Sequence, residues 1–262
     1  MILTAQAIGA PAYKTLMTTA TYTVHSCFHK GFNLVAEDGT LIFIGTDENG
    51  TFPFGVVVER YTRDILLKHV RVGQTIQARH GLLKVSDDCQ LHCRIDVLPT
   101  AQDFACADIA TLQALMNTYD FARYEGTDFD LTTMRQCVQA LCEPQCDITS
   151  QLRYFIGRGQ GLTPTGDDIL TGILYVHHLT PFIHAKHIEA LTTYLQTPVT
   201  TDVAQTFLKH ALNGLFSSRI TMLQYEATAA RVNQLLQVGA TSGWDTLYGI
   251  YAALNLRSES HG

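Results

Sequence analysis

Gly157-Arg158-Gly159-Gln160-Gly161-Leu162-Thr163-Pro164-Thr165-Gly166-Asp167-Asp168 joins a glycine-rich turn to the polar start of a helix that opens on paired carboxylates. Glycines let a backbone turn through positive φ and approach a ligand closely, and a helix start presents unpaired N–H groups that attract anions. Thr163 and Pro164 suit the N-cap and first position of that helix. An active or binding site is expected here, with Asp167, Asp168 and Arg158 as its chemical groups. Gly157, Gly159, Gly161, Thr163, Thr165 and Gly166 would line it.

Nucleotide motifs do not fit the segment. Gly161 and Gly166 have P-loop spacing, but Asp167-Asp168 stand where Lys-Ser/Thr should follow, and no complete G-x-G-x-x-G is present. Carboxylates repel an anion unless a cation intervenes, and either Mg²⁺ or Arg158 would serve. A ligand with an anionic end and an amide end resolves the conflict differently. Backbone N–H groups and Arg158 would hold the anion, while an Asp accepts from the N–H₂ and acts as a general base. The plainer reading is that both acids only complement the helix dipole, which stabilises each by about 0.3–1 kcal/mol.

Two later segments repeat the pattern: Thr200-Thr201 before Asp202, and Thr241-Ser242-Gly243 before Asp245. Capping explains either one alone, at about 1 kcal/mol per cap. Three such starts together lead to the expectation that they converge on one pocket. Weaker candidates are a zinc set at Cys89, His92 and Cys93, which lie on a strand that points neighbours to opposite faces, and the histidines 177, 178, 184 and 187. Cys137, Cys142 and Cys146 read as buried thiols, and Trp244 as a core anchor or pocket wall. No G-x-S-x-G elbow supports a serine hydrolase.

These residues need a scaffold. From Thr21 to Leu98 short β-rich runs alternate with turn signals such as Glu37-Asp38-Gly39 and Asp47-Glu48-Asn49-Gly50, which predicts an antiparallel barrel or sandwich over 1–100. Strands are expected at Thr21–His29, Gly31–Ala36, Leu41–Gly45, Gly55–Glu59, Gln74–Arg79, Leu82–Val85 and Leu91–Val97. After Pro99 apolar residues recur every three or four positions, predicting a mainly helical domain over 101–262. Its helices should span Asp108–Tyr124, Leu131–Glu143, Gln151–Ile156, Thr165–Leu179, Ala185–Leu195, Asp202–Leu215, Arg219–Gln237 and Trp244–Leu256. The fold class is α+β.

The chain has 262 residues, enough for a core without any staple, and seven cysteines, an odd number for a disulfide framework. Its 46% apolar and 16% charged residues are a globular balance. The net charge of −6, from 18 basic and 24 acidic residues without a basic run, argues against a nucleic-acid partner. No apolar stretch approaches the ~20 residues of a membrane span, so no membrane partner and a soluble cytoplasmic protein are expected.

Gly157–Asp168 with Gly172, the Thr200-Thr201 pair, and Thr241-Ser242-Gly243 with Asp245 and Gly249 resemble a bacterial family first catalogued as a domain of unknown function. One member is AllH, a subunit of oxamate carbamoyltransferase encoded with allantoin-degradation genes of purine catabolism. The likeness covers about residues 150–256 and places Ala240 where the relatives' G-H-T-S-G run carries histidine. It implies carbamoyl transfer, with oxalurate and phosphate giving oxamate and carbamoyl phosphate, performed with other subunits. The resemblance names no certain cofactor. Two further readings are a non-catalytic ligand-binding or assembly subunit, and an Mg-dependent phosphotransferase using Asp167 and Asp168.

Overall fold

The structure is a computed structural model that describes residues 1–93, 95–98 and 104–257. It divides into two compact units, 1–102 and 103–262, each with its own core. The expected boundary at 100–101 lies outside the described residues, as does position 94 of the expected strand Leu91–Val97.

The first unit runs β1 (Ile2–Thr4), β2 (Ala7–Gly9), α1 (Ala10–Leu16), β3 (Ala20–Phe28), β4 (Gly31–Ala36), β5 (Leu41–Gly45), β6 (Gly55–Val57), α2 (Arg60–His69), β7 (Thr75–Arg79), β8 (Leu82–Lys84), β9 (Gln90–His92) and β10 (Val97–Leu98). Alternation sets its faces: Tyr22 and Val24 of β3 and Ile76 and Ala78 of β7 turn inward, and their neighbours stay exposed or half-buried. The ten strands described form one sheet in the order β1-β9-β8-β7-β3-β4-β5-β6-β2-β10. The first segment serves both ends of that order, because β1 pairs with β9 while β2 pairs with β6 and β10.

The expectation of antiparallel pairing alone is corrected. β1–β9, β2–β10 and β5–β6 are parallel, so the sheet is mixed. The turn signal at Asp47–Asn49 folds as a 3₁₀ turn inside a longer return and not as a hairpin, and β1 and β2 find partners some ninety residues away that no turn announces. Helix α2 also lies inside the region read as strands, and α1 precedes that region within the unit expected to be strand-rich. Pro11 starts α1, and α2 buries Thr62, Arg63 and Leu66 along one stripe.

The second unit is helical: α3 (Ile109–Met116), α4 (Leu131–Cys142), α5 (Thr149–Phe155), α6 (Thr165–Leu179), α7 (Ala185–Tyr194), α8 (Asp202–Leu212), α9 (Ser218–Tyr225), α10 (Ala229–Leu236) and α11 (Ser242–Leu256). Two long helices expected from periodicity are broken. The run Asp108–Tyr124 stops at Met116 and resumes as a 3₁₀ turn at Ala122–Tyr124. Arg219–Gln237 divides at Glu226–Thr228, where the Thr228 hydroxyl caps α10 by accepting from the Arg231 amide. In both cases apolar spacing continued across a polar break.

The core of this unit centres on α6 against α11. A Cβ on Gly172 would fall 2.2 Å from the Thr246 carbonyl oxygen, and one on Gly249 would fall 2.1 Å from that of Ile169. Only glycine permits this backbone approach. The pair thereby fixes the starts of both helices relative to each other. No described helix is long and apolar enough to cross a membrane.

Candidate functional site

Between α5 and α6 the chain turns through Gly157 at φ 77°, Gly159 at φ 127° and Gly161 at φ 85°. Nearby backbone leaves no room for larger residues at two of these: a Cβ on Gly157 would meet the Val199 carbonyl at 2.9 Å, and one on Gly159 the Thr165 amide at 2.4 Å. Helix α6 spans Thr165–Leu179 as expected, but its cap lies one residue later than the Thr163 and Pro164 types suggest. Pro164 is its N-cap, Thr165 its first residue, and no side chain caps it. The Gly166 amide donates to the Arg158 carbonyl at 2.9 Å, and the Asp167 and Asp168 amides donate to the Pro164 carbonyl at 3.0 and 3.2 Å. The Gly166 amide therefore ties the glycine loop to the helix start, while the other two bond within the first turn.

Asp167 is 2% exposed and has both oxygens occupied. Its Oδ1 accepts from the Gly157 amide at 3.0 Å and its Oδ2 from the Thr200 hydroxyl at 2.5 Å. Burial raises its pKa against these hydrogen bonds. Beside it, Thr201 caps α8 by accepting from the Ala204 amide at 3.1 Å and donates to the Leu162 carbonyl of the glycine loop.

Asp168 is 7% exposed, and burial holds its carboxyl well above the ordinary 3.8. The nearby side chains of Ser242 and Thr163 oppose that shift, while the charges of Asp245 and Asp167 reinforce it. Asp245, in the first turn of α11, accepts at Oδ1 from the Tyr124 hydroxyl at 2.7 Å. Tyr124 is stacked on Tyr248 with centroids 4.0 Å apart, and burial followed by Asp245 raises its phenol far above 10, so it remains a donor. Asp168 Oδ2 and Asp245 Oδ2 are enclosed and have no hydrogen-bond partner among the described residues.

The start of α6 is thus bonded to the start of α8 through Asp167–Thr200 and Thr201–Leu162, and the start of α11 lies close enough that Ser242 and Asp245 both act on the Asp168 carboxyl. Thr241 occupies the N-cap of α11 without a capping bond, and Gly243 lets α11 lie against the end of α10, where a Cβ would stand 2.0 Å from the Leu235 carbonyl. Arg158 is engaged elsewhere. Its Nη1 pairs with Asp128 at 3.0 Å, its Nε donates to the Tyr154 carbonyl at 2.7 Å, and its guanidinium lies 4.0 Å over the Tyr154 ring. A groove of about 260 Å³ beside α4 and α5 is lined by Tyr154 and Phe155 but by none of the residues expected at the site.

The other candidates have structural roles. His177 Nδ1 accepts from the Phe182 and Ile183 amides, His178 and His187 bond to the Ala211 and Glu143 carbonyls, and His184 caps α7. Cys89, Cys93 and Cys137 are buried, with Cys93 and Cys137 pushed up to about 12 by burial. Among the described residues no group of three or more His, Cys, Asp or Glu is arranged to hold a metal ion. Trp244 is half-buried, with the Arg123 guanidinium 5.0 Å over its ring. Tyr124 had no sequence signal, since its partner Asp245 lies 121 residues away.

Residues 155–254 match the family described as oxamate carbamoyltransferase subunit AllH, and residues 4–98 match the AllH family N-terminal domain. The chain belongs to the AllH family. The glycine loop, Asp167, Asp168, Thr200, Thr201, Ser242 and Asp245 all fall within the first match, whereas Tyr124 lies outside both. No solved structure matches the chain.

Proposed function

We propose that this AllH-family chain is a subunit of a multi-component carbamoyltransferase, and that it binds a small amide-bearing anion such as oxamate, oxalurate or carbamoyl phosphate beside the Gly157–Asp168 loop. The observation that carries the reading is the pair of unpartnered carboxyl oxygens, Asp168 Oδ2 and Asp245 Oδ2, enclosed beside a loop of positive-φ glycines. An enclosed carboxyl oxygen without a partner is costly, by about 1–3 kcal/mol, and an amide group offers both N–H donors and a carbonyl acceptor to meet such oxygens.

Both oxygens are enclosed, so a ligand reaches them when the loop from Gly157 to Thr163 swings aside. Gly161 has nothing within 4 Å of a Cβ position and leaves room for that motion. Arg158 then exchanges Asp128 for the anionic end of the ligand. In the forward reaction a phosphate oxygen attacks the carbamoyl carbon of oxalurate and the bond to the oxamate nitrogen breaks. Asp168, whose carboxyl burial biases toward the protonated form, donates its proton to that nitrogen and regains one from the phosphate hydroxyl. Asp167 and Thr200 hold the loop against α8, and Tyr124 keeps Asp245 aimed at the amide.

A thermal-shift screen with carbamoyl phosphate, oxamate, oxalurate, phosphate and ATP, with and without Mg²⁺, tests the reading. A ligand at a hundred times its Kd should add about 2.7 kcal/mol of stability. Stabilisation by oxamate or carbamoyl phosphate without metal is expected. A response to ATP alone, and only with Mg²⁺, would assign the site to phosphoryl transfer. Turnover should require the products of neighbouring genes, and Asp168→Asn should abolish turnover in the reconstituted complex.

A further inference from the structure

The first unit holds a separate cluster that neither the family descriptions nor the proposed reaction uses. At the ends of β4 and β5 two glycines bring the chain together: a Cβ on Gly31 would fall 2.2 Å from the Ile44 carbonyl, and one on Gly45 would fall 2.3 Å from that of Lys30. The Thr46 amide donates to the same Lys30 carbonyl at 2.9 Å. This pins Lys30 beside the 3₁₀ turn Asp47–Asn49, and α2 adds Arg60 and Arg63.

Three cationic side chains meet there around Glu48, while Lys30 Nζ also donates to Asn49 Oδ1 at 2.7 Å. Glu48 Oε1 lies 3.3 Å from Arg60 Nε and 3.9 Å from Arg63 Nη1, and its Oε2 lies 3.9 Å from Lys30 Nζ. Arg63 is 6% exposed; its Nε bonds to Asp64 at 2.8 Å, but its enclosed Nη1 has no hydrogen-bond partner among the described residues. The Thr46 hydroxyl, in a residue 5% exposed, has none either. A guanidinium is built to give paired N–H bonds to a carboxylate or phosphate, and a buried one left short of acceptors is costly. Glu48 at these distances makes an ion pair with each cation and a close fork with none.

We infer that Lys30, Thr46, Arg60 and Arg63 form a binding site for a small oxyanion, carboxylate or phosphate, whose place Glu48 occupies. Two oxygens of such a ligand would reach Arg63 Nη1 and the Thr46 hydroxyl directly, with Lys30 and Arg60 closing over it from the solvent side, where Arg60 is exposed. The site is independent of the carbamoyl reading, since none of its residues belongs to the helical unit.

Calorimetric titration of the full chain with inorganic phosphate and with oxalate, at constant ionic strength and with chloride as the control, tests this. Glu48→Gln removes the competing carboxylate and should tighten binding roughly tenfold, whereas Arg60→Ala or Lys30→Ala in the wild-type background should weaken it roughly tenfold. Asp167→Asn should leave this affinity unchanged. A preference for phosphate or for oxalate identifies the ligand. Absence of saturable binding to both the wild type and Glu48→Gln, or affinity that is lost with Asp167→Asn and indifferent to Arg60→Ala and Lys30→Ala, would overturn the inference.

Discussion

Asp168 carries a cost in stability that depends on pH. Its carboxyl titrates above the ordinary 3.8 because burial disfavours the charge, so above that pH the native state binds more protons than the unfolded chain. Stability therefore falls as pH rises from 3.8 through the raised native value. Asp168→Asn removes the titration, and thermal unfolding followed from pH 4 to 8 should show the variant gaining on the wild type as pH rises. A constant difference would mean that the carboxyl is not held neutral. His177 acts in the opposite direction. Burial and the neighbouring His178 lower it from 6.5 to about 4, and its Nδ1 must stay unprotonated to accept the Phe182 and Ile183 amides. Its contribution is complete above 6.5 and is lost as pH falls toward 4, so His177→Ala should unfold more easily at pH 7, by about 1–3 kcal/mol, and flatten the acid limb of a stability–pH curve. The acids at the start of α6 were legible in the sequence because glycine, proline and carboxylate have strong local meanings. That Arg158 is engaged by Asp128 was not, because the pair is separated by thirty residues and held by tertiary packing.

Helices α6 and α11 position the acids, and their register depends on two glycines. Gly172→Ala and Gly249→Ala each push a methyl into a carbonyl about 2 Å away, which forces the helices apart. Each should destabilise by about 1–3 kcal/mol, read from the denaturant midpoint at unchanged slope, and should separate Asp168 from Ser242 and Asp245. Wild-type midpoints in both variants would show that the approach of α6 to α11 does not depend on these glycines. The extents of α6 and α11 followed from apolar spacing nearly to the residue. Where spacing ran on across Asn117–Phe121 and Glu226–Thr228 it misled, because periodicity reports which face is buried and not whether the backbone bonds continue.

Each of the two units keeps its own hydrophobic cluster, and Tyr124, Asp167, Asp168 and Asp245 all belong to the second. A chain of residues 104–262 should accordingly fold alone with a single cooperative transition and retain any stabilisation by oxamate or carbamoyl phosphate. Loss of the ligand effect in a folded fragment would place part of the site in the first unit. The order of strands followed by helices was legible because periods of two and of three to four are local properties of a segment. Strand direction in the parallel pairs was not, since β1 and β2 meet residues near position 90 to which no turn chemistry connects them.

The sequence alone determined an α+β chain, a glycine turn opening on paired acids, and membership of a family, all of which rest on residue types at short spacing. Tertiary structure decided which parallel strands pair, that Thr200, Ser242 and Tyr124 meet the acids at the helix starts, and that two carboxyl oxygens are enclosed without partners. Those outcomes depend on close packing between segments tens to more than a hundred residues apart, where burial sets both the hydrogen bonds and the charge states, and no local pattern encodes it.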